Sequence, residues 1–224
     1  MERTYRVGTR TSPLALKQVE EALGMLKGFY PDMQIEVVGI DTYGDKDKVT
    51  PISEIEGTDF FTREIDEALL KNEIDFAVHS AKDLPDELRD GLVISALTEC
   101  LDPYDALVSK YGLKLEELPN DARIGTSSGR RKDGLKKLRP DLHIVDIRGN
   151  IEQRLKILEE SDLDGIVIAA CALMRLGLET RITQRIPLNV INSHPMQGRL
   201  AIVTRQDEKD LIDLFSALDT RQRI

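Results

Sequence analysis

The sequence predicts an α/β fold whose sheets are mostly parallel. Short runs of apolar and β-branched residues alternate with helical apolar patterns over most of the 224 residues. Several helical patterns directly follow a strand and open with a good N-cap residue. The chain contains neither an internal repeat nor a low-complexity linker. In such sheets, ligands bind at the carboxyl ends of the strands, so the loops at those ends are the candidate site.

The first strand and helix have the clearest signals. A strand is predicted at residues 5–9, and a helix is predicted to begin at Ser12 and Pro13. Serine is a good N-cap, and proline is favoured at the first helical position. The predicted apolar face of this helix consists of Leu16, Val19, Leu23 and Leu26.

The remaining elements continue the alternation. The first half has predicted strands at residues 34–40, 75–78, 92–97 and 106–108, and a helix marked by Phe61, Ile65, Ala68 and Leu69. In the second half, strands at residues 123–124 and 143–147 each lead into a helix. Strands at residues 165–170 and 200–203 follow, with a last helix that ends near Leu218.

The charge distribution favours a small anionic ligand. Thirty-one Lys and Arg against 40 Asp and Glu give a net charge of −9, which argues against a general nucleic-acid binder or a protein of anionic membranes. Residues 123–156 reverse this balance, with ten basic against four acidic side chains. A basic region inside an acidic protein suits a small anion. The alternative is a solvated basic helix face.

Arginines at three strand-to-helix turns give the strongest functional signal. They are Arg10, the adjacent Arg130 and Arg131, and Arg148. A helix N-terminus presents unpaired N–H groups that favour an anion, and a guanidinium adds a fork that matches carboxylate or phosphate. These turns therefore predict a ligand that carries several negative charges.

The loop after the strand at residues 75–78 contains a candidate catalytic carboxylate, Asp83. A carboxylate among cations can orient an N–H donor or stabilise a developing cation, whereas the alternative for Asp83 is a simple turn residue. Lys82 is either an anion ligand or a solvated charge. His79 is expected to be partly buried, with its hydrogen bonds satisfied by the backbone.

The sequence contains no metal, nucleotide or disulfide signature. Its histidines and cysteines lack metal-ligand spacing, and Cys100 and Cys171 are expected to be buried, reduced thiols. Residues 125–131 lack the GK[ST] ending of a phosphate-binding loop, and no GxGxxG follows a strand. No segment has the length and apolarity of a membrane span, so a cytoplasmic protein is expected.

Taken together, six segments resemble the porphobilinogen deaminase (hydroxymethylbilane synthase) family. They are RVGTRTSPLAL at 6–16, DFAVHSAKDLP at 75–85, GTSSGRR at 125–131, RPDL at 139–142, RGN at 148–150 followed by Arg154, and RLGL at 175–178. Their order and spacing match the family over nearly all of the chain. The resemblance implies a transferase of tetrapyrrole (haem) biosynthesis that condenses four porphobilinogen units into the linear hydroxymethylbilane and releases ammonia at each step.

The resemblance also implies roles for individual residues. Asp83 would be the catalytic carboxylate that holds pyrrole N–H groups and stabilises cationic intermediates, and Arg148 and Arg154 would assist deamination. Other residues would bind the substrate and a dipyrromethane cofactor, and no metal is implied. These are Arg10, Ser12, Gln18, Ser80, Lys82, Thr126, Ser127, Ser128, Arg130, Arg131, Gly149, Asn150, Arg175 and Gln197.

The family fold implies two domains of the type II periplasmic-binding-protein class, with the active site in the cleft between them. The first domain is expected to comprise residues 1–98 plus 199–218, and the second residues 103–193. The implied partners are small polycarboxylate pyrroles, not nucleic acid or membranes. The expected state is a monomer, or a pair with a chain that supplies a third domain.

Two features depart from the family pattern. The family's third, C-terminal domain, whose cysteine anchors dipyrromethane, is expected to be absent, since neither Cys100 nor Cys171 lies in a matching context. Thr58 and Asp59 stand where the family usually has a Gly-Lys-Gly-type loop, which removes a lysine and adds a negative charge. Three hypotheses remain: a deaminase that holds its cofactor differently, a non-catalytic binding protein for a tetrapyrrole or other polycarboxylate, and an inactive two-domain homologue that needs a partner chain.

Overall fold

A computed structural model of the chain describes residues 3–47, 50 and 57–221. These residues divide into two compact units, each built on one five-stranded sheet. Unit 1 comprises residues 3–47, 57–100 and 199–221, and unit 2 comprises residue 50 and residues 101–198.

Strands and helices alternate along the described chain as the sequence predicts. The strands are β1 Thr4–Thr9, β2 Gln34–Gly39, β3 Phe76–Ser80, β4 Leu92–Leu97, β5 Asp105–Ser109, β6 Arg123–Gly125, β7 His143–Val145, β8 Gly165–Ala169, β9 Gln184–Ile186 and β10 Leu200–Arg205. The helices are α1 Pro13–Phe29, α2 Tyr43–Lys46, α3 Arg63–Leu70, α4 Gly129–Leu138, α5 Ile151–Glu160, α6 Ala170–Arg175 and α7 Lys209–Phe215. Short 3₁₀ turns lie at Ala81–Asp83, Glu179–Arg181 and Ser216–Leu218.

Each sheet has one reversed strand. In unit 1 the order is β2-β1-β3-β10-β4, where β1 is parallel to β2 and β3, and β10 is antiparallel to β3 and β4. In unit 2 the order is β7-β6-β8-β5-β9, and β5 is the strand antiparallel to its neighbours. The other strands of each sheet point the same way, which confirms the predicted mostly parallel α/β architecture.

The core of unit 1 forms on both faces of its sheet, because successive strand residues point to opposite sides. On β3, Phe76 and Val78 pack in the same cluster as residues of α1 and α7. Ala77, between them, packs against Ile65 and Leu69 of α3 on the other face. This central strand is therefore buried on both sides, and its carboxyl end carries His79 and Ser80 to the edge of the sheet.

Helix α1 begins as predicted, but its buried face is shifted slightly around the helix from the predicted one. The Oγ of Ser12 accepts the N–H of Ala15 at 3.3 Å, which is the predicted N-cap. Val19 and Leu26 are buried as expected, whereas Leu16 is 45% exposed, so its assignment to the apolar face is wrong. Leu16 lies one residue beyond Ala15, which belongs to the buried stripe, and one step around a helix turns a side chain by about 100°.

Three short elements were not predicted from the sequence. Strand β9 has three residues and pairs with β5 at the edge of the unit 2 sheet. Helix α2 is a single turn, and α6 has six residues directly after β8. None of them is long enough to produce a clear hydrophobic period. The equally short strands β6 and β7 were predicted because each leads into a longer helix.

A buried carboxyl group on α3 makes stability depend on pH. Asp66 is fully buried; its Oδ2 accepts the hydroxyl of Thr62 at 3.0 Å, and its Oδ1 has no hydrogen-bond partner among the described residues. Burial raises the pKa of Asp66 from 3.8 to about 6. Because the folded pKa lies above the unfolded one, the folded state binds more protons between these two values. The contribution of Asp66 to the free energy of unfolding therefore falls as pH rises through this window.

Asp66→Asn is expected to change the free energy of unfolding more favourably at pH 8 than at pH 4. The difference between the two mutational effects is expected to be about 1–3 kcal/mol. The amide keeps an acceptor for Thr62 and carries no charge to bury. Chemical denaturation of both proteins at the two pH values measures the difference. The exposed Asp86, changed to Asn, is the control. An effect of Asp66→Asn that is the same at both pH values would contradict the prediction.

Candidate functional site

A pocket open to solvent lies at the carboxyl ends of β1 and β3 in unit 1. Its wall contains five of the predicted site residues. These are Arg10, Ser12, Gln18, Ser80 and Asp83. Strands β1 and β3 are parallel neighbours, so the loops that follow them meet at one edge of the sheet.

Hydrogen bonds fix the wall of this pocket. Gln18, which is 5% exposed on α1, donates from Nε2 to the Oγ of Ser80 at 2.7 Å. The N–H of Ala81 donates to the carbonyl of Arg199 at 3.0 Å, which ties the start of the 3₁₀ turn to the end of the segment that enters β10. Asp83 is the last residue of that turn and lines the pocket.

The carboxylate of Asp83 is not committed to another group. The residue is half-buried and lines the pocket, yet among the described residues it makes neither a hydrogen bond nor an ion pair. Two carboxylate oxygens can accept several N–H donors. The structure therefore leaves the predicted catalytic group available to a ligand.

Two buried polar atoms at the pocket also lack partners. The Nε2 of His79 and the Oγ1 of Thr9 have no hydrogen-bond partner among the described residues, although His79 is 5% and Thr9 1% exposed. The expectation that the backbone satisfies His79 is thus wrong for Nε2. Burial, helped by the positive charge of Arg10, lowers the pKa of His79 to about 4, so the imidazole is neutral near pH 7. Buried polar atoms normally have partners, and a polar ligand would supply them here.

Arg10 is held at the mouth of the same pocket. Its Nε lies 3.1 and 3.2 Å from the two carboxylate oxygens of Asp45, and its Nη2 also donates to Asp45. The guanidinium carbon lies 4.5 Å from the ring centroid of Phe61. Lys82 follows on the 3₁₀ turn and is half-buried.

In unit 2, the loops after β6 and β7 are joined at the corresponding edge of the second sheet. The hydroxyl of Ser127 donates to the carbonyl of Ile147 at 2.7 Å and accepts the N–H of Ile147 at 3.0 Å. The N–H of the fully buried Thr126 donates to the carbonyl of Val145 at 2.9 Å. Ser127 and Thr126 thereby hold the turns that carry the predicted arginines side by side.

The turn at residues 148–150 is shaped by its glycine. Gly149 has φ +106°, and an added Cβ would lie 2.6 Å from the Oε1 of Gln153. Asn150 caps α5, since its side chain accepts the N–H of Gln153 at 2.9 Å. The Nε of Arg154 donates to the carbonyl of Gly149 at 2.8 Å. Arg148 has a buried Nη1 without a hydrogen-bond partner among the described residues.

The adjacent Arg130 and Arg131 have different environments. Ser128 is the N-cap of α4, although its side chain makes no capping hydrogen bond, and Arg130 is exposed on the first turn. Arg131 is only 9% exposed; its Nη2 lies 2.7 Å from Asp105 Oδ1, and its Nη1 donates to the carbonyl of Val167 at 3.2 Å. Arg131 is therefore part of a buried ion pair.

Gln197 belongs to the same buried network. It is 2% exposed, and its Nε2 donates to Asp105 Oδ1 at 3.1 Å and to the carbonyl of Pro103 at 2.9 Å. Sequence reasoning missed Asp105, because no local pattern pairs it with side chains 26 and 92 positions away. Arg175, also a predicted ligand, donates from Nη2 to the carbonyl of Gly198 at 2.9 Å.

The negative charge at Asp59 is balanced locally. Arg63 donates from Nη2 to Asp59 Oδ1 at 2.8 Å and from Nε to Oδ2 at 2.9 Å, and it lowers the pKa of Asp59. The carboxylate that departs from the family pattern is therefore paired within its own helix turn. Its neighbour Thr58 accepts the N–H of Phe60 at 3.4 Å.

The two cysteines differ in burial. Cys171 is 4% exposed, as expected, but Cys100 is only half-buried, so the prediction of a buried thiol is wrong there. Within the described ranges, no group of three His, Cys, Asp or Glu side chains could hold a metal ion. Over the same ranges, no helix is both long and apolar enough to cross a bilayer.

Comparison with solved structures identifies the fold. The chain is similar to a methionine-binding protein, with 19% identity, a TM-score of 0.56 and coverage of 96% of this chain and 89% of the other. A probable amino-acid ABC transporter extracellular-binding protein of Bacillus subtilis has 13% identity and a TM-score of 0.54, with 97% and 91% coverage. These similarities confirm the expected periplasmic-binding-protein type of fold.

Comparison of sequences identifies the family. A family model described as "Porphobilinogen deaminase, dipyromethane cofactor binding domain" matches residues 5–213. The porphobilinogen deaminase of Syntrophomonas wolfei is 45% identical over 217 residues, which cover 97% of this chain and 71% of that protein. That of Geobacter metallireducens is 43% identical over 222 residues, with 98% and 70% coverage. With its predicted motifs in place on this fold, the chain belongs to the porphobilinogen deaminase family.

Proposed function

We propose that this chain is a hydroxymethylbilane synthase, a transferase that condenses porphobilinogen units into a linear tetrapyrrole and releases ammonia. The observation that carries the proposal is Asp83, a carboxylate without a partner among the described residues, in a pocket that also contains Arg10. The relatives named porphobilinogen deaminase, which match 97% and 98% of the chain, support the same activity.

The chemistry of the substrate explains why one carboxylate among cations is needed. Porphobilinogen carries an aminomethyl group, an N–H donor and two carboxylates on one pyrrole ring. When the C–N bond of the protonated aminomethyl group breaks, ammonia leaves with the bonding electron pair, and the positive charge passes to the ring and its N–H. A carboxylate that accepts this N–H stabilises the cation. The methylene carbon then bonds to the free α-carbon of the acceptor pyrrole, which loses its proton.

Asp83 is suited to that role by its surroundings. Its neighbours in the pocket are the neutral His79, the hydroxyl of Ser80 and the guanidinium of Arg10. No second carboxylate lines this pocket among the described residues. The negative charge of Asp83 therefore faces the ligand without competition from another acid, and we assign it the stabilisation of the pyrrole cation.

The residues present fit a dipyrromethane, the cofactor that the description of the family domain prints. The unpartnered Asp83 carboxylate would accept pyrrole N–H groups, and Thr9 and His79, which line the same pocket, each have a polar atom without a partner among the described residues. When bound, this group supplies the pyrrole to which the first unit is added. Its carboxylates would be held by Arg10 and by the other basic and hydroxyl residues named from the sequence.

The unused donor of Arg148 supports the same assignment in unit 2. Its buried Nη1 lacks a partner among the described residues, so binding an anion there removes a desolvation cost. Arg154, anchored on Gly149, places a second guanidinium on the same turn. We assign both residues to the deamination step.

We infer a cytoplasmic protein that acts on small polycarboxylate pyrroles, as a monomer or with a partner chain.

Turnover by the purified chain tests the proposal. Porphobilinogen is supplied together with dipyrromethane or preuroporphyrinogen, and ammonia and uroporphyrin are measured in the same sample. We expect both products to form, with one ammonia per porphobilinogen consumed, and neither in a mixture without the protein. Binding of the linear tetrapyrrole without release of ammonia would contradict the proposal and favour a binding protein.

A further inference from the structure

We infer that Asp45 is a positioning residue for Arg10. Its carboxylate holds one edge of the guanidinium and leaves the other edge to bind a carboxylate of the ligand. The inference rests on the proposed function, because it takes Arg10 to be a ligand-binding residue. It adds to that function a residue outside every segment that carries the family resemblance.

The two edges of the guanidinium are used differently. An arginine presents five N–H donors in a planar fork, with one pairing edge at Nε and Nη2 and another at Nη1 and Nη2. Asp45 receives hydrogen bonds from Nε, at 3.1 and 3.2 Å, and from Nη2. Among the described residues, Nη1 donates no hydrogen bond, so the second edge of Arg10 remains for a bidentate carboxylate.

The flat face of the guanidinium is also held. Phe61 lies against it, with 4.5 Å between the guanidinium carbon and the ring centroid, which is within cation–π distance. Phe61 is in turn packed edge-on against Phe60, with centroids 5.2 Å apart. Contacts at one edge and one face together restrict both the rotation and the tilt of Arg10.

Asp45 is itself fixed by its own turn. The hydroxyl of the fully buried Thr42 donates to Asp45 Oδ2 at 2.8 Å. Gly44 allows this turn to lie against the aromatic ring, since an added Cβ would be 2.4 Å from Cδ1 of Phe61. The sequence from Thr42 to Asp45 thus brings a carboxylate and an aromatic face to the same arginine.

An arginine side chain whose conformation is fixed before binding binds a ligand more tightly than a mobile one, because it loses less rotamer freedom on binding. The side chains of Arg10 and Asp45 are 23% and 22% exposed, so the pair is partly shielded from water. Immobilising one long side chain costs an amount that corresponds to about a 3- to 10-fold change in affinity. This is the effect expected when Asp45 can no longer orient Arg10.

Asp45→Asn is expected to raise the Kd for porphobilinogen about 3- to 10-fold, measured by isothermal titration calorimetry on the full chain. The same substitution in an Arg10→Gln background is expected to cause no further change, since the group it positions is gone. A purely structural role for Asp45 would lower stability equally in both backgrounds and leave the Kd unchanged. Gly44→Ala, which displaces Phe61, is expected to weaken binding in the same direction.

Asp141→Asn is the matched control. Asp141 also accepts two hydrogen bonds from one arginine, Arg139, at 2.8 and 2.6 Å, but it lies in unit 2 outside the pocket. The Kd of the Asp141→Asn variant for porphobilinogen is expected to equal that of the wild type.

An unchanged Kd in Asp45→Asn would overturn the inference. A lower Kd would mean that Asp45 competes with the ligand for Arg10, and it would overturn the inference too. Failure of the wild type to bind porphobilinogen would instead overturn the proposed function, and with it this inference.

Discussion

Asp83→Asn is expected to lower kcat for porphobilinogen consumption about 10³-fold, while the fold and the Kd for porphobilinogen change little. The substitution is nearly isosteric, and Asp83 makes no hydrogen bond or ion pair among the described residues that the amide would break. The change therefore removes a charge and an acceptor but no structural contact. Stopped or continuous measurement of ammonia release gives kcat directly.

The size of the effect follows from when the charge of Asp83 is needed. The substrate pyrrole is neutral in the ground state and becomes cationic only as ammonia leaves. Asp83 therefore interacts more strongly with the transition state than with bound substrate, which is the condition for an effect on kcat and not on binding. An amide keeps one acceptor for the pyrrole N–H, but it carries no charge and its NH₂ group is repelled by a cation.

Asp86→Asn provides the comparison on the same loop. Asp86 lies three residues further along and is exposed, so its loss removes a similar long-range charge without removing a group from the pocket. Its kcat is expected to remain within about twofold of the wild type. If Asp83→Asn kept turnover within about tenfold of wild type, the role assigned to its carboxylate would be wrong.

The long elements were predictable because they repeat a local signal. The alternation of strand and helix, the N-cap at Ser12 and the burial of β3 all follow from residues within a few positions of one another. The wrong position of Leu16 and the missed strand β9 show the limit of that signal. Which neighbouring stripe of α1 faces the sheet depends on the packing of β3 and α7, which the helix sequence does not contain.

The site was predictable in position but not in its contacts. Parallel strands bring their carboxyl ends together, so Arg10, Ser80 and Asp83 were expected at one edge, and they lie there. The partner of Arg10 was not foreseen, because Asp45 is 35 residues away in sequence and lies in a single turn of helix. Likewise, the sequence could not show that Nε2 of His79 lacks a hydrogen-bond partner among the described residues, because the groups around it are set by tertiary packing.

Arg131→Met is expected to lower the free energy of unfolding by about 3–5 kcal/mol. Arg131 and its partner Asp105 are 9% and 3% exposed, and their Nη2 and Oδ1 atoms are 2.7 Å apart. Removing the guanidinium takes the 2.7 Å ion pair away from a buried carboxylate, which keeps a neutral amide donor in Gln197. Equilibrium denaturation in urea, with a check that the slope is unchanged, measures the loss.

Two further variants separate a structural from a ligand-binding role. Combining Arg131→Met with Asp105→Asn removes the carboxylate that has lost its ion pair and is expected to restore most of the lost stability, because burial of a neutral pair costs far less. Arg130→Met, one residue away and exposed, is expected to change stability by roughly 0.5 kcal/mol or less. If Arg131→Met were as stable as wild type and lost only affinity for carboxylated pyrroles, the ion pair would contribute nothing to the fold. A loss of stability in Arg131→Met and not in Arg130→Met would mean that Arg131 holds β5 and α4 together, a structural role that the adjacent arginine does not share.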